Sequence, residues 1–254
     1  KYFIKDGKEE RMPYVLLPPF HTTVAAQVQV ILSLDGEFLS ASRVENEDKL
    51  TIIPVTEKSG SRTAGKAPHP LCDNLKYLAG DYKKYVQDKK DDTSSCYELY
   101  MQELKKWQCS SFSHEKVEAI YNYLAKGTLI RDLLQEKILQ TNGSGYLTDE
   151  VKIEGISQTA VFVRFIVRGK YGMKDGQSCD ECWKDSSLWN CFIQYYQSLD
   201  EKKELDYLTG EMQKPSYLQP KKIRNEGDGA KLISSNDEAN FTFRGRFITK
   251  EQAF

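Results

Sequence analysis

Between Val24 and Leu34 every second side chain is apolar: Val24, Ala26, Val28, Val30, Leu32 and Leu34, with Gln27, Gln29 and Ser33 in between. A period of two commits the segment to a half-buried strand with one face turned to a core. Asp35-Gly36 follows, and it suits a two-residue hairpin turn. Glu37 to Val44 then returns as the partner strand, and an acidic loop, Glu45-Asn-Glu-Asp48, leads to a third strand at Thr51 to Thr56. The N-terminal part is predicted to be an antiparallel sheet.

The period then changes. Ser95-Cys-Tyr-Glu98 has the spacing of a helix capping box, and Tyr97, Tyr100, Met101, Leu104 and Trp107 recur at helical spacing behind it. Val117, Ile120, Tyr121 and Leu124 mark a second helix. It breaks near Gly127, and Leu129 to Ile138 continues helical before the turn Asn142-Gly-Ser-Gly145. Strand character returns at Thr159 to Val167, with Thr159, Val161, Val163, Phe165 and Val167 on one face and Phe162, Arg164, Ile166 and Arg168 on the other. Trp189, Phe192, Ile193, Tyr196 and Leu199 form a further helical stripe. Asn240 to Ile248 is the last strand candidate. The expected class is α+β: an antiparallel N-terminal sheet, a helical insertion and returning strands. Sheet-forming stretches fall at 14–56, 159–168 and 231–248, and helical ones at 72–140 and 186–200. Thr249-Lys-Glu-Gln252 is another capping box, so a helix is expected to start there and to continue past Phe254.

The net charge of −1 excludes a chain that binds nucleic acid as a bulk polycation. Any such contact must be local. One cationic patch is Lys58, Arg62 and Lys66. A second is Lys214, Lys221, Lys222 and Arg224, and a third is Arg244, Arg246 and Lys250. No apolar run reaches the roughly 18 residues that a membrane span needs. Six cysteines in 254 residues do not make a disulfide framework, which points to a reduced, cytoplasmic compartment.

Gly60-Ser-Arg-Thr-Ala-Gly65-Lys66 follows a strand and matches most of a P-loop pattern. Ala67 stands where that pattern needs a magnesium-binding hydroxyl, and Pro68 and Pro70 oppose the helix that must begin there. A loop of this composition offers backbone N–H groups and cations to phosphates without nucleotide chemistry. A P-loop-like enzyme built on Gly60 to Lys66 is the alternative reading. Cys179-Asp-Glu-Cys182 with Cys191 looks like part of a zinc site, but structural zinc takes four ligands and no second close pair exists. The stretch reads instead as a loop entering the helix at Trp189. His21, His69 and His114 lie near no evident nucleophile, and no carboxylate pair stands out for acid–base work. In the last strand Phe241, Phe243 and Phe247 alternate with Arg244 and Arg246, a spacing that sets two arginines on one face.

Two blocks carry a family resemblance. One is Thr51-Ile-Ile-Pro-Val-Thr-Glu-Lys-Ser-Gly-Ser-Arg62 with Ala67-Pro-His-Pro-Leu-Cys-Asp-Asn-Leu-Lys-Tyr-Leu-Ala-Gly-Asp-Tyr82. The other is Ala239-Asn-Phe-Thr-Phe-Arg-Gly-Arg-Phe247. Together they resemble the large subunit of the type I-C CRISPR interference complex, Cascade. The resemblance implies an antiviral surveillance complex built on a CRISPR RNA. Its large subunit reads the PAM, a short motif beside the target, on double-stranded DNA, helps to open the duplex and recruits a separate helicase-nuclease. It implies no catalysis, and no cofactor or metal is expected. Residues 1–254 would be the N-terminal domain of a longer subunit. In RNA-guided recognition, base pairing reads most of the sequence while the protein reads a few base pairs and holds backbone. On that chemistry and this resemblance, Lys58, Ser59, Gly60, Ser61, Arg62 and Lys66, with Asn240, Arg244 and Arg246, are expected to face the DNA. A purely structural scaffold that docks the RNA-bound backbone of the complex is a further alternative.

Overall fold

In the computed structural model, which describes residues 2–5, 8–11, 17–60, 62, 66–87, 94–169, 179–199, 203–205 and 209–213, the chain opens with an antiparallel hairpin, β1 (Tyr2–Lys5) and β2 (Lys8–Arg11). The alternating segment that follows is not one strand. It divides at Ala26-Gln27 into β3 (His21–Ala25) and β4 (Val28–Ser33). At the division the backbone changes partners: the Ala26 N–H donates to Lys49 O, and the Gln27 N–H donates to Phe162 O. Gln27, whose place in the alternation faces away from the core, is buried because its side chain completes this junction. Its amide donates to Ala25 O and its oxygen accepts the Phe162 N–H at 2.8 Å.

The predicted hairpin forms between β4 and β5 (Phe38–Arg43), but its loop is Leu34-Asp35-Gly36 and not the two residues Asp35-Gly36: the Ser33 N–H donates to Glu37 O and the Gly36 N–H to Ser33 O. Gly36 has φ +77°, and a Cβ there would lie 2.7 Å from Ala119 O and 2.8 Å from the Asn122 Cβ. Glycine is thus required twice, for the turn and for its close packing on a helix. β6 (Leu50–Pro54) pairs antiparallel with β3 rather than with β5. A single helical turn, α1 (Glu57–Gly60), follows, then the edge strand β7 (Asp73–Asn74) and the short helices α2 (Leu75–Leu78) and α3 (Tyr82–Tyr85). Next come α4 (Ser94–Gln108), α5 (Glu115–Leu124) and α6 (Leu129–Gln135). The small hairpin β8 (Lys152–Ile153) and β9 (Ile156–Ser157) precedes β10 (Phe162–Arg168), and α7 (Ser186–Ser198) is followed by β11 (Glu204–Leu205) and β12 (Met212–Gln213). The predicted strand at 231–248 lies outside the described residues.

The returning strand takes the centre of a four-stranded sheet ordered β5-β4-β10-β7. β10 runs parallel to β4, so this sheet is mixed and not wholly antiparallel. The class is α+β, as expected. Both faces of β10 are buried from Phe162 to Phe165, and Arg168 at its end is exposed. Val163, Phe165 and Val167 meet the core with Val28, Val30 and Leu32, under apolar positions of α4 and α5 that include Leu104, Trp107, Ile120 and Tyr123. On the opposite face Arg164 is 1% exposed. Its guanidinium lies 3.7 Å from the Trp183 ring centroid and donates to Asp48 O, Thr51 Oγ1 and Gln29 Oε1. Cation–π contact and neutral acceptors replace the water that an arginine otherwise keeps.

α7 closes the core with an aromatic cluster of Phe192, Tyr195 and Tyr196 against Trp107, and the His21 ring meets Phe192 and Trp189 edge-on. His21 Nδ1 pairs with Pro19 O at 2.7 Å. Burial, only partly offset by that bond, lowers the His21 pKa from 6.5 to about 4. The folded state therefore holds the ring neutral, while the unfolded chain takes up a proton near pH 6.5. The resulting stabilisation of about 3 kcal/mol is complete above pH 6.5 and is lost as pH falls towards 4. We predict that His21→Phe reduces the difference in urea-unfolding free energy between pH 7 and pH 4.5 by about 2.4 kcal/mol, the part of the linkage that falls in this interval. An unaltered difference would show that His21 is not held neutral.

Candidate nucleic-acid interface

The loop singled out in the sequence begins where β6 ends. Thr56 and Ser59 cap each other across the first turn of α1. The Thr56 N–H donates to Ser59 Oγ (3.0 Å) and the Ser59 N–H to Thr56 Oγ1 (3.1 Å), and the Ser59 hydroxyl donates to Thr56 O. Ser59 is consequently 2% exposed, turned inward as a structural cap. The Glu57 N–H donates to the Tyr196 hydroxyl at 3.0 Å, which seats the turn on α7. Lys58 and Gly60 point outward and are exposed. An added Cβ at Gly60 would meet only the Val55 side chain, at 3.7 Å or more, so the fold itself does not demand glycine there.

Arg62 goes inward. Its Nη1 and Nη2 donate to the two oxygens of Asp73, each at 2.8 Å, and Nη1 also donates to Ala67 O at 2.8 Å. The guanidinium carbon sits 4.6 Å from the Tyr77 ring centroid. Asp73 is fully buried and also accepts the backbone N–H groups of His69 (2.8 Å) and Asn74 (2.7 Å). Desolvation opposes the charge on Arg62, but the hydrogen bonds and charge of Asp73 outweigh it and leave the arginine pKa raised. A two-pronged arginine–carboxylate pair is the strongest form of side-chain ion pair. Arg62, expected at the DNA, is therefore engaged in the fold.

Lys66 is exposed, and its ammonium donates to the Ser95 hydroxyl in the first turn of α4. That turn contains no acidic residue. Beyond Lys66 residues 66–69 have no regular secondary structure, and the chain bends at 70–71 before it enters β7, so no helix begins there. The strand before the loop pairs antiparallel with β3. Strand, phosphate loop and helix thus do not follow one another as nucleotide binding of the P-loop kind requires. Of the remaining expected contacts, Ser61, Asn240, Arg244 and Arg246 lie outside the described residues.

The cysteine stretch has a different organiser, which the sequence did not single out. Lys116, 2% exposed, donates its ammonium to Asp185 and to Cys179 O, pinning the 179–185 segment to α5. Asp185 caps α7 by accepting the N–H groups of Ser187 and Leu188. Burial pushes the Cys182 thiol up to about 12, which makes it a poor metal ligand and nucleophile at neutral pH. Among the described residues no three His, Cys, Asp or Glu side chains converge as a metal-holding group, and none of the six cysteines is in a disulfide. Next to this segment, His114 Nδ1 accepts the Lys116 N–H, which leaves the proton of the neutral ring on Nε2, 3.2 Å from Ser187 Oγ. The Ser187 hydroxyl in turn donates to Asp185. Burial lowers the His114 pKa despite the nearby Asp185. The proton order runs His114 to Ser187 to Asp185, so the imidazole donates to the hydroxyl and does not activate it.

These features describe a mixed sheet carrying a braced cationic loop, with no assembled nucleophile or metal group among the described residues. The family model described as CRISPR-associated protein (Cas_Csd1) matches residues 2–254. The chain therefore belongs to the Cas_Csd1 family of CRISPR-associated, Cascade-type subunits, in line with the resemblance of its two sequence blocks. No curated protein matches the chain. Among the described residues no helix is long and apolar enough to cross a membrane.

The buried ion pair gives a test of the fold beside this site. Lys116→Met leaves the Asp185 carboxylate buried without its cation and should cost about 3 kcal/mol of unfolding free energy. Adding Asp185→Asn, which keeps the helix cap but removes the charge, should restore at least ~1 kcal/mol. Urea denaturation of the two variants checks this, and a double variant weaker than Lys116→Met would contradict it.

Proposed function

We propose that this chain is a non-catalytic, PAM-reading part of the type I-C large subunit and that it meets duplex DNA through the face bearing Lys58, Gly60 and Lys66. The observation that carries the reading is the placement of Lys66. An exposed lysine, whose ammonium donates to Ser95, stands beside the first turn of a 15-residue helix. Helix N-termini attract anions through unsatisfied N–H groups and the helix dipole, and an adjacent ammonium adds to that field. Lys58 adds a second exposed cation on α1, and Gly60 is free to let a backbone approach closely. The chain's near-neutral total charge suits a protein that holds a few phosphates while a guide RNA supplies the sequence reading. The family membership supports the setting, a Cascade-type complex with its CRISPR RNA and other subunits. Duplex opening and recruitment of a helicase-nuclease extend the same reading on the strength of the sequence resemblance.

The test belongs in the assembled complex, with short duplexes that do and do not contain the PAM. Lys58→Ala with Lys66→Ala should weaken duplex binding by at least about tenfold and reduce the slope of log K against log salt by about two, roughly 0.9 per lost phosphate contact. Unchanged affinity and slope would remove this face from the DNA interface.

A further inference from the structure

The fork on Asp73 does more than bury an arginine. It joins positions that are distant along the loop. Through Arg62 it holds the start of the segment, and the same guanidinium fixes Ala67 O while Asp73 itself takes the His69 N–H. Lys66 stands between these tied points, next to Ala67. A second set of braces runs from the loop to α4. The Tyr100 hydroxyl donates to Leu71 O at 2.8 Å, and the Lys66 ammonium donates to Ser95. Asp73 is in turn part of the main sheet, paired across from Val163 on β10. A rigid element thus reaches, through one carboxylate and one guanidinium, the backbone next to the exposed lysine.

The geometry points to Arg62 and Asp73 as positioning residues for Lys66: they deliver its ammonium to the N-terminus of α4 already ordered, so that DNA meets a preformed phosphate contact. This inference rests on the DNA-facing reading above. Ordering a loop and a long side chain on binding consumes affinity, and order established beforehand saves it. The fork needs a planar, two-pronged cation, so lysine cannot replace arginine at position 62 even though it keeps the charge.

The assay is PAM-duplex binding by the assembled complex across a salt series. Arg62→Lys should weaken binding by about tenfold while leaving the salt slope at the wild-type value, because the phosphate contact of Lys66 is still made at greater ordering cost. Lys66→Ala should weaken binding and lower the slope by about one. In the Lys66→Ala background, Arg62→Lys should add less than about twofold, since the group it positions is gone. Asp73→Asn should reproduce the Arg62→Lys behaviour, giving a second variant should one fail to fold. An impaired Lys66→Ala variant beside an unimpaired Arg62→Lys variant overturns the positioning role and leaves the DNA reading intact. A full additional loss in the double variant, or a slope lowered by Arg62→Lys itself, also overturns it. A Lys66→Ala variant that binds with unchanged affinity and slope overturns the DNA reading, and this inference with it.

Discussion

A buried carboxylate that accepts four N–H donors is the constraint on which the loop depends. Asp73 lies at the edge of the mixed sheet with no exposed surface, and it takes two guanidinium N–H bonds and two backbone N–H bonds. Such a group is costly to bury and tolerable only when it is saturated. The saturation has a structural consequence. Arg62, His69 and Asn74 must converge on one carboxylate, and the same guanidinium holds Ala67 O, next to Lys66 beside α4. The position of an exposed lysine thus follows from charge satisfaction on the inside.

The same economy governs three internal cations, each by different means. Arg62 is held by a carboxylate fork. Lys116 pairs with Asp185 and a carbonyl, and Arg164 relies on Trp183 with neutral oxygens. A sequence count of positive residues therefore overstates what this chain can offer a nucleic acid. Of the first cationic patch, Lys58 and Lys66 are exposed, while the arginine between them organises the loop. On the proposed DNA-facing reading, cations at this surface act through placement more than through number, as a near-neutral protein requires.

Much of the fold was legible where the pattern is local. The hairpin that closes near Gly36, the stripes of α4, α5 and α7 and the strand leading to Arg168 all follow from spacing and turn chemistry, although the turn itself takes in Leu34 as well as Asp35-Gly36. Relations between distant segments were not legible. Nothing near Val28 announces that β10 will lie parallel to it across more than a hundred residues, and the division at Ala26-Gln27 follows from that pairing. The site followed the same rule. The sequence drew attention to the loop and its cations, but the orientation of Arg62 depends on an aspartate eleven residues away that resembles any other acidic residue. The roles of Lys116 and Asp185 likewise arise only when α5 and the start of α7 are brought together.

The most direct measurement is a structure of the assembled complex on a PAM-containing duplex, read at two side chains. The account predicts the Lys66 ammonium within hydrogen-bonding distance of a backbone phosphate while the Arg62 guanidinium stays forked on Asp73. An Arg62 swung off Asp73 onto the DNA, or a face of Lys58 and Lys66 packed against another protein subunit, would contradict it.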